Sequence, residues 1–220
     1  MAKNFLSIKY LMVILFVFSV WIIVSPDDHD NLVQKNLDES KSNHWILDKI
    51  EKGEINFSGL DLSGLDLSGL DLSNAKFFGT ILQKTDLSNS NLTNADFSGA
   101  NLRSTNLEGS DLTNVNLNNA YLYKINFKDT NLEKADLSRA NLCGATLSNQ
   151  RFAGSDFSYA DLSFTNLIEA DLKHAKLSNA NLIGTTLYGS DLSGKDLSGI
   201  KLIQAKLLNV NFTNTNLKNA

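Results

Sequence analysis

The sequence predicts an all-β solenoid with four-sided coils, and three observations carry the prediction. Every fifth residue from Phe57 to Leu217 is Leu or Phe. Two residues after each of these comes mostly Gly or Asn, as in Gly59, Gly64, Asn74, Asn89 and Gly99. Two residues before comes mostly a small side chain, as in Ala75, Ala95, Ser110, Ala120 and Ala135. Neither regular element fits a period of five. In an α-helix five residues give a net advance of roughly 140°, so the Leu positions would wander around the axis. In a flat strand an odd period puts successive Leu on opposite faces. Each Leu stays inside only if the chain turns a corner once per repeat, and a fixed internal period of this kind marks a stacked architecture.

The remaining repeat positions supply the corner. A type II turn needs positive φ at its third residue, which Gly and Asn tolerate at little cost. Asp or Asn precedes the central residue, as in Asp61, Asp66, Asn91 and Asp111. Such side chains bond neighbouring turn backbone, and the two types read as interchangeable there. Residues 55–220 contain no Pro, as expected if every amide joins one coil to the next. Four corners close a square of about 20 residues, giving about eight coils and a stack on the order of 40 Å long. Phe57, Phe77 and Phe97 then form one internal stack, and Leu117 and Leu137 replace Phe in it before Phe157. Ser138, just after Leu137, reads as a solvated corner. Gln150 and Lys195 depart from the pattern as large polar residues at the small inward position, and Leu60, Leu65 and Leu70 as bulky ones. An isolated charge in a core is costly, so Lys195 is predicted to turn outward or to bulge its corner.

Ala95-Asp96-Phe97-Ser98-Gly99, Ala135-Asp136-Leu137-Ser138-Arg139 and Ala180-Asn181-Leu182-Ile183-Gly184 share the pattern A(D/N)LxX. On these residues the chain resembles the pentapeptide repeat proteins over about three quarters of its length. The resemblance implies a right-handed quadrilateral β-helix, and the handedness comes from the resemblance alone. It also implies a candidate activity, because some members imitate duplex DNA and bind DNA gyrase.

The N-terminal region is organised differently. Lys3 and Lys9 precede the apolar run Tyr10–Val24, and Asp27, Asp28 and Asp30 follow it. Residues 1–25 therefore read as a signal-anchor or transmembrane segment, with membrane contact through residues 5–24. The charge asymmetry places the N-terminus in the cytoplasm and the repeats outside it. No A-x-A cleavage site precedes the acidic cluster, which favours an uncleaved anchor over a cleaved signal peptide and a secreted or periplasmic product. Residues 26–43 form a polar linker, and 44–54 a short helix with Trp45, Ile46 and Ile50 apolar and Gly53 as a stop. Solenoid ends need caps, and the reading places Trp45 over Phe57 or Leu60. The β-helix then occupies residues 55–220.

Little in the sequence points to an enzyme. His29, His44 and His174 are isolated, and no metal-ligand spacing, nucleophile elbow or phosphate loop appears, so no cofactor or metal is expected. The single Cys143 excludes an intrachain disulfide. DNA mimicry fits poorly. Duplex DNA carries one charge per ~1.7 Å, so a rod of this length needs on the order of 20 negative charges. Residues 55–220 carry 16 Asp and Glu against 14 Lys and Arg, a net of −2. The basic residues form no stripe, so no nucleic-acid binding is expected either. There remains a membrane-anchored structural or protein-interaction module presenting a rigid rod. Its candidate partner surface is Phe164, Ile168, Ile183, Tyr188, Ile203 and Leu208, all one or two residues after a central Leu. At 20 residues per coil, Ile168, Tyr188 and Leu208 form one column, and Ile183 and Ile203 another on the preceding side. Isolated apolar surface residues are ordinary, but adjacent columns form a contiguous patch of the kind that marks an interface. The expected occupants are a second copy, by self-association near the C-terminal coils, or another membrane protein.

Overall fold

The computed structural model describes residues 43–220, so the anchor read at 1–25 and all but the last residue of the linker at 26–43 lie outside the described residues. From residue 55 onward the chain winds into four-sided coils. The residue before each central Leu or Phe pairs in parallel with the residue 20 positions later. Asn56 pairs with Lys76 on side 1, Asp61 with Ile81 on side 2, Asp66 with Asp86 on side 3 and Asp71 with Asn91 on side 4. The backbone bonds repeat with the same spacing. The Phe57 amide donates to the Lys76 carbonyl at 2.7 Å, Gly59 to Phe78 at 2.8 Å, and Lys76 back to Ile55 at 2.8 Å. These bonds hold the coils together without any strand longer than one paired residue per side.

The central ladder is the core. Every member from Phe57 to Leu197 is buried, and Phe57, Phe77 and Phe97 stack with ring centroids 5.2 and 4.6 Å apart. Phe152 and Phe157 meet edge to face at 5.1 Å across a corner. The small inward positions fill the rest, and where they carry a hydroxyl it is bonded, mostly across coils. Thr80 donates to the Phe57 carbonyl at 2.9 Å, Ser155 to Leu132 at 2.7 Å and Thr185 to Leu162 at 2.7 Å, each 23 residues back, whereas Thr130 bonds the Phe127 carbonyl of its own coil at 2.7 Å. A buried hydroxyl without such a partner would cost about 1–3 kcal/mol, so this bond is what admits Ser and Thr to the core.

The corners turn through left-handed residues. Every second turn residue from Gly59 to Asn219, His174 excepted, has positive φ. Glycines there lie at 61–77° and the other residues at 54–62°. A Cβ holds the residue in the narrow left-handed well, whereas glycine relaxes toward the type II turn value. Lys84, Arg139, Tyr159 and Phe164 also adopt this conformation, although their side chains disfavour it.

Helix α1, residues 43–51, caps the first coil, starting and ending slightly earlier than the predicted 44–54. It ends in a Schellman motif. Glu54 donates to the Lys49 carbonyl and Gly53, at φ 74°, to that of Ile50. The residue that seals the core is Ile46, fully buried, with Ile50 packed beside it. Trp45 is 40% exposed, so the fully sealed position of the predicted cap is Ile46. Consecutive helical residues point about 100° apart, so with Ile46 turned into the coil Trp45 lies at the edge of the covered face. The Asn43 side-chain amide donates to the Asp66 carbonyl at 3.0 Å, occupying an acceptor on the edge of the first coil.

The parallel pairing is interrupted in three places, and a large inward side chain stands at each. Asn106 and Asn126 do not pair with each other beside Ile125, nor Asn131 with Arg151 beside Gln150, nor Lys176 with Asp196 beside Lys195, whereas Ile200 leaves Asn181 and Lys201 paired. Leu60, Leu65 and Leu70 leave the pairing intact, because they lie on the first coil with no preceding coil to crowd. Gln150 reaches the Phe127 carbonyl at 3.1 Å and opens a polar cleft of about 360 Å³ between its coil and the one before. Lys195 is half-buried, with its ammonium donating to the carbonyls of Lys173 at 3.0 Å and Ala175 at 2.5 Å. It therefore stays at the inward position and distorts its corner, and it is beneath it that His174 departs from the left-handed rule. Burial pushes its pKa down, and Asp191 and Asp171 partly offset that.

Candidate interaction surface

A four-sided coil exposes three positions per repeat: the paired residue on each side and the two turn residues at each corner. Side chains 20 residues apart sit one above another, as the amide of Phe164 donating to the Ile183 carbonyl and that of Gly189 donating to Leu208 demonstrate. Ile183 and Ile203 therefore form a ridge on the corner between sides 2 and 3. Ile168, Tyr188 and Leu208 form a ridge on the corner between sides 3 and 4. Phe164, Ile203 and Leu208 are 63%, 66% and 63% exposed. Tyr188 is exposed to a lesser degree, and Ile168 and Ile183 are half-buried. The ring of Phe164 lies across Gly184, where a Cβ would come within 2.6 Å of it, so the glycine makes room for the aromatic.

The two ridges are not adjacent. Between them runs the outward column of side 3, Asn166, Thr186 and Lys206. Across the coils 181–189 and 201–209 the only charges on sides 2 and 3 are Lys201 and Lys206. Both are exposed, and neither has an ion-pair partner among the described residues. Sequence reasoning missed these two lysines, although their places two residues before Ile203 and Leu208 were the available signal.

Elsewhere the surface is a mixed field. Lys128 pairs with Glu108 and Lys176 with Asp156, each 20 residues apart and so on adjacent coils. Phe78 and Tyr159 are exposed singly on other corners, Tyr159 under the guanidinium of Arg139 at 4.9 Å. Cys143 is half-buried. Among the described residues no group of His, Cys, Asp and Glu is arranged to hold a metal ion.

The family described as Pentapeptide repeats matches this chain in 8 copies, over residues 55–94, 71–109, 110–149, 155–194 and 196–220. The chain belongs to the pentapeptide repeat family. Among solved structures it is similar to HetL, a pentapeptide repeat protein involved in heterocyst differentiation regulation in Nostoc sp. strain PCC 7120. The two share 30% identity over 80% of this chain and 92% of HetL, with a TM-score of 0.35. It is also similar to QnrB1, a plasmid-mediated fluoroquinolone resistance protein, at 20% identity over 74% of this chain and 86% of that one, with a TM-score of 0.40. Rfr23 from the cyanobacterium Cyanothece 51142 is 24% identical over 78% of this chain and 96% of its own, with a TM-score of 0.29. No curated protein matches the chain. Pentapeptide repeat proteins are in general structural or interaction modules, and this member has the repeat β-helix on which that role rests.

Proposed function

We propose that this pentapeptide repeat protein is a non-enzymatic interaction module, held at a membrane by residues 1–25 with its β-helix on the extracytoplasmic side. The observation that carries the reading is the order Lys3, Lys9, an apolar run to Val24, then Asp27, Asp28 and Asp30. That order matches an anchor whose basic end stays in the cytoplasm. Among the described residues no helix is long and apolar enough to cross a membrane, so anchoring depends on the segment before them. A gyrase-binding role by DNA mimicry finds less support. The repeats are close to neutral, and acids and bases share single columns, as Lys76 and Lys176 do with Asp96, Asp136, Asp156 and Asp196 on side 1. The test is membrane fractionation of the full chain, followed by mass determination and protease treatment from the extracytoplasmic side. A full-length species in the membrane fraction with repeats accessible from outside is the expected result. A soluble species shortened by about 25 residues, or repeats reached only from the cytoplasm, would refute the proposal.

A further inference from the structure

We infer that the flank formed by sides 2 and 3 of the C-terminal coils docks on an anionic lipid bilayer. The inference rests on the reading that the chain is held at a membrane, and goes beyond it by giving the rod a lipid contact of its own. Two apolar ridges, Ile183 with Ile203 and Tyr188 with Leu208, stand on convex corners rather than in a groove. Lys206 projects from the side between them, and Lys201 flanks the first ridge. Ile203 and Leu208, the members that protrude most, stand beside cations, which suits an interface where hydrocarbon lies under a layer of phosphate. The placement of Lys206 decides between this and a protein occupant. Lysine is depleted from the cores of protein interfaces, and here one without an ion-pair partner among the described residues sits at the centre of the patch. On a membrane its stem lies along the apolar surface while the ammonium meets headgroups. No carboxylate on this flank opposes that in the coils 181–189 and 201–209; Asp191 and Asp196 belong to sides 4 and 1. Nearer the middle of the rod Asp161 and Glu169 enter sides 2 and 3 and their corners, so the docking surface ends below Ile183 and Tyr188.

The experiment uses the full chain carrying Cys143→Ser and a single new thiol for an environment-sensitive fluorophore. Gln204→Cys places the label on the corner of the first ridge, and Asn214→Cys places it on the diagonally opposite corner at the same height. Both are exposed second turn residues with positive φ, so the two sites match in backbone. Each protein is added to vesicles of phosphatidylcholine alone or mixed with phosphatidylglycerol, both carrying spin-labelled lipid. The expected result is several-fold stronger quenching at 204 than at 214 with phosphatidylglycerol. That difference is lost in phosphatidylcholine and in the Lys201→Glu, Lys206→Glu variant. Flotation separates the two readings. A chain that floats with both lipids but shows equal quenching at both sites overturns the docking surface and leaves the anchor standing. Flotation with phosphatidylglycerol alone, with the quenching difference intact, supports docking and overturns the anchor. Flotation with neither lipid overturns both. A label at 204 that is shielded yet unquenched, in a species of doubled mass, assigns the flank to a second copy and overturns lipid docking.

Discussion

Asp and Asn are not interchangeable at the residue before each central Leu. Six times an Asn side chain donates to the Asp 20 residues earlier: Asn91 to Asp71, Asn106 to Asp86, Asn116 to Asp96, Asn181 to Asp161, Asn211 to Asp191 and Asn216 to Asp196, all at 2.9–3.1 Å. The donor is always on the later coil. An Asn above an Asp thus binds its neighbour, while an Asp in its place would repel it. Replacing Asn91 by Asp would stack carboxylates at 71, 91 and 111 on side 4. The expected loss is about 1–2 kcal/mol in low salt, since a bond to a charged acceptor goes and like charges face each other across a strand spacing. Added salt recovers part of it, because the site is exposed and screened. Urea unfolding at two ionic strengths measures both effects. Ser138 teaches the same lesson. Its hydroxyl donates to Asp136 at 2.5 Å and accepts from Asn118 at 2.7 Å, so it belongs to a bonded network rather than to a bare solvated corner.

At the scale of the element, the two departures most visible in sequence, Gln150 and Lys195, each coincide with a break in the parallel pairing. Ser at neighbouring inward positions keeps the coils joined, as Ser155 and Ser190 do through bonds to Leu132 and Leu167. Gln150→Ser would place a hydroxyl over the Phe127 carbonyl and let the coils close. The expected outcome is a gain of roughly 1 kcal/mol in stability and slower hydrogen exchange at the amides of Leu132 and Arg151. Unchanged exchange there would show that Gln150 does not hold the corner open. The cap gives a second contrast. Ile46→Ala should cost about 2–5 kcal/mol, because it leaves a cavity over the first coil. Trp45→Ala should cost less, about 1–2 kcal/mol, because part of its ring stays in water. Thermal unfolding of the pair ranks them.

At the scale of the whole molecule, the acidic turn residues act together. The Ser63 and Ser73 hydroxyls, then the amides of the same residues, hold Asp61 and Asp71 below the usual carboxylate range. For Asp191 and Asp196 the amides of Ser193 and Ser198 lead. A carboxylate with a lower pKa in the folded state contributes stability that is complete above its unfolded value near 3.8 and is lost as pH falls through the folded value. Repeated around the rod, this predicts that the melting temperature is flat from neutral pH down to about 5 and then falls steeply. Melting curves across that range check it. A flat profile down to pH 2 would mean the turn carboxylates are bonded no better folded than unfolded. The ladder ends less firmly than it begins, with Leu207 and Leu217 at 38% and 39% exposure, so the last coil should be the first to exchange.

The period of five by itself determined the coil, its four sides and its core. An odd period keeps one residue type inside only when a corner recurs with it, and no other regular backbone meets that condition. It determined the Phe57–Phe77–Phe97 stack as well, since stacking follows from the length of a coil. Tertiary structure decided what depends on neighbours 20 residues away. It chose Ile46 over Trp45 as the fully sealed position of the cap, because the docking angle of α1 is set by the coil it covers. It gave Asn and Asp different roles through the direction of a bond between coils. It set Lys206 between the two apolar ridges, because the four-sided coil puts ridges on corners and Lys206 on the side that separates them.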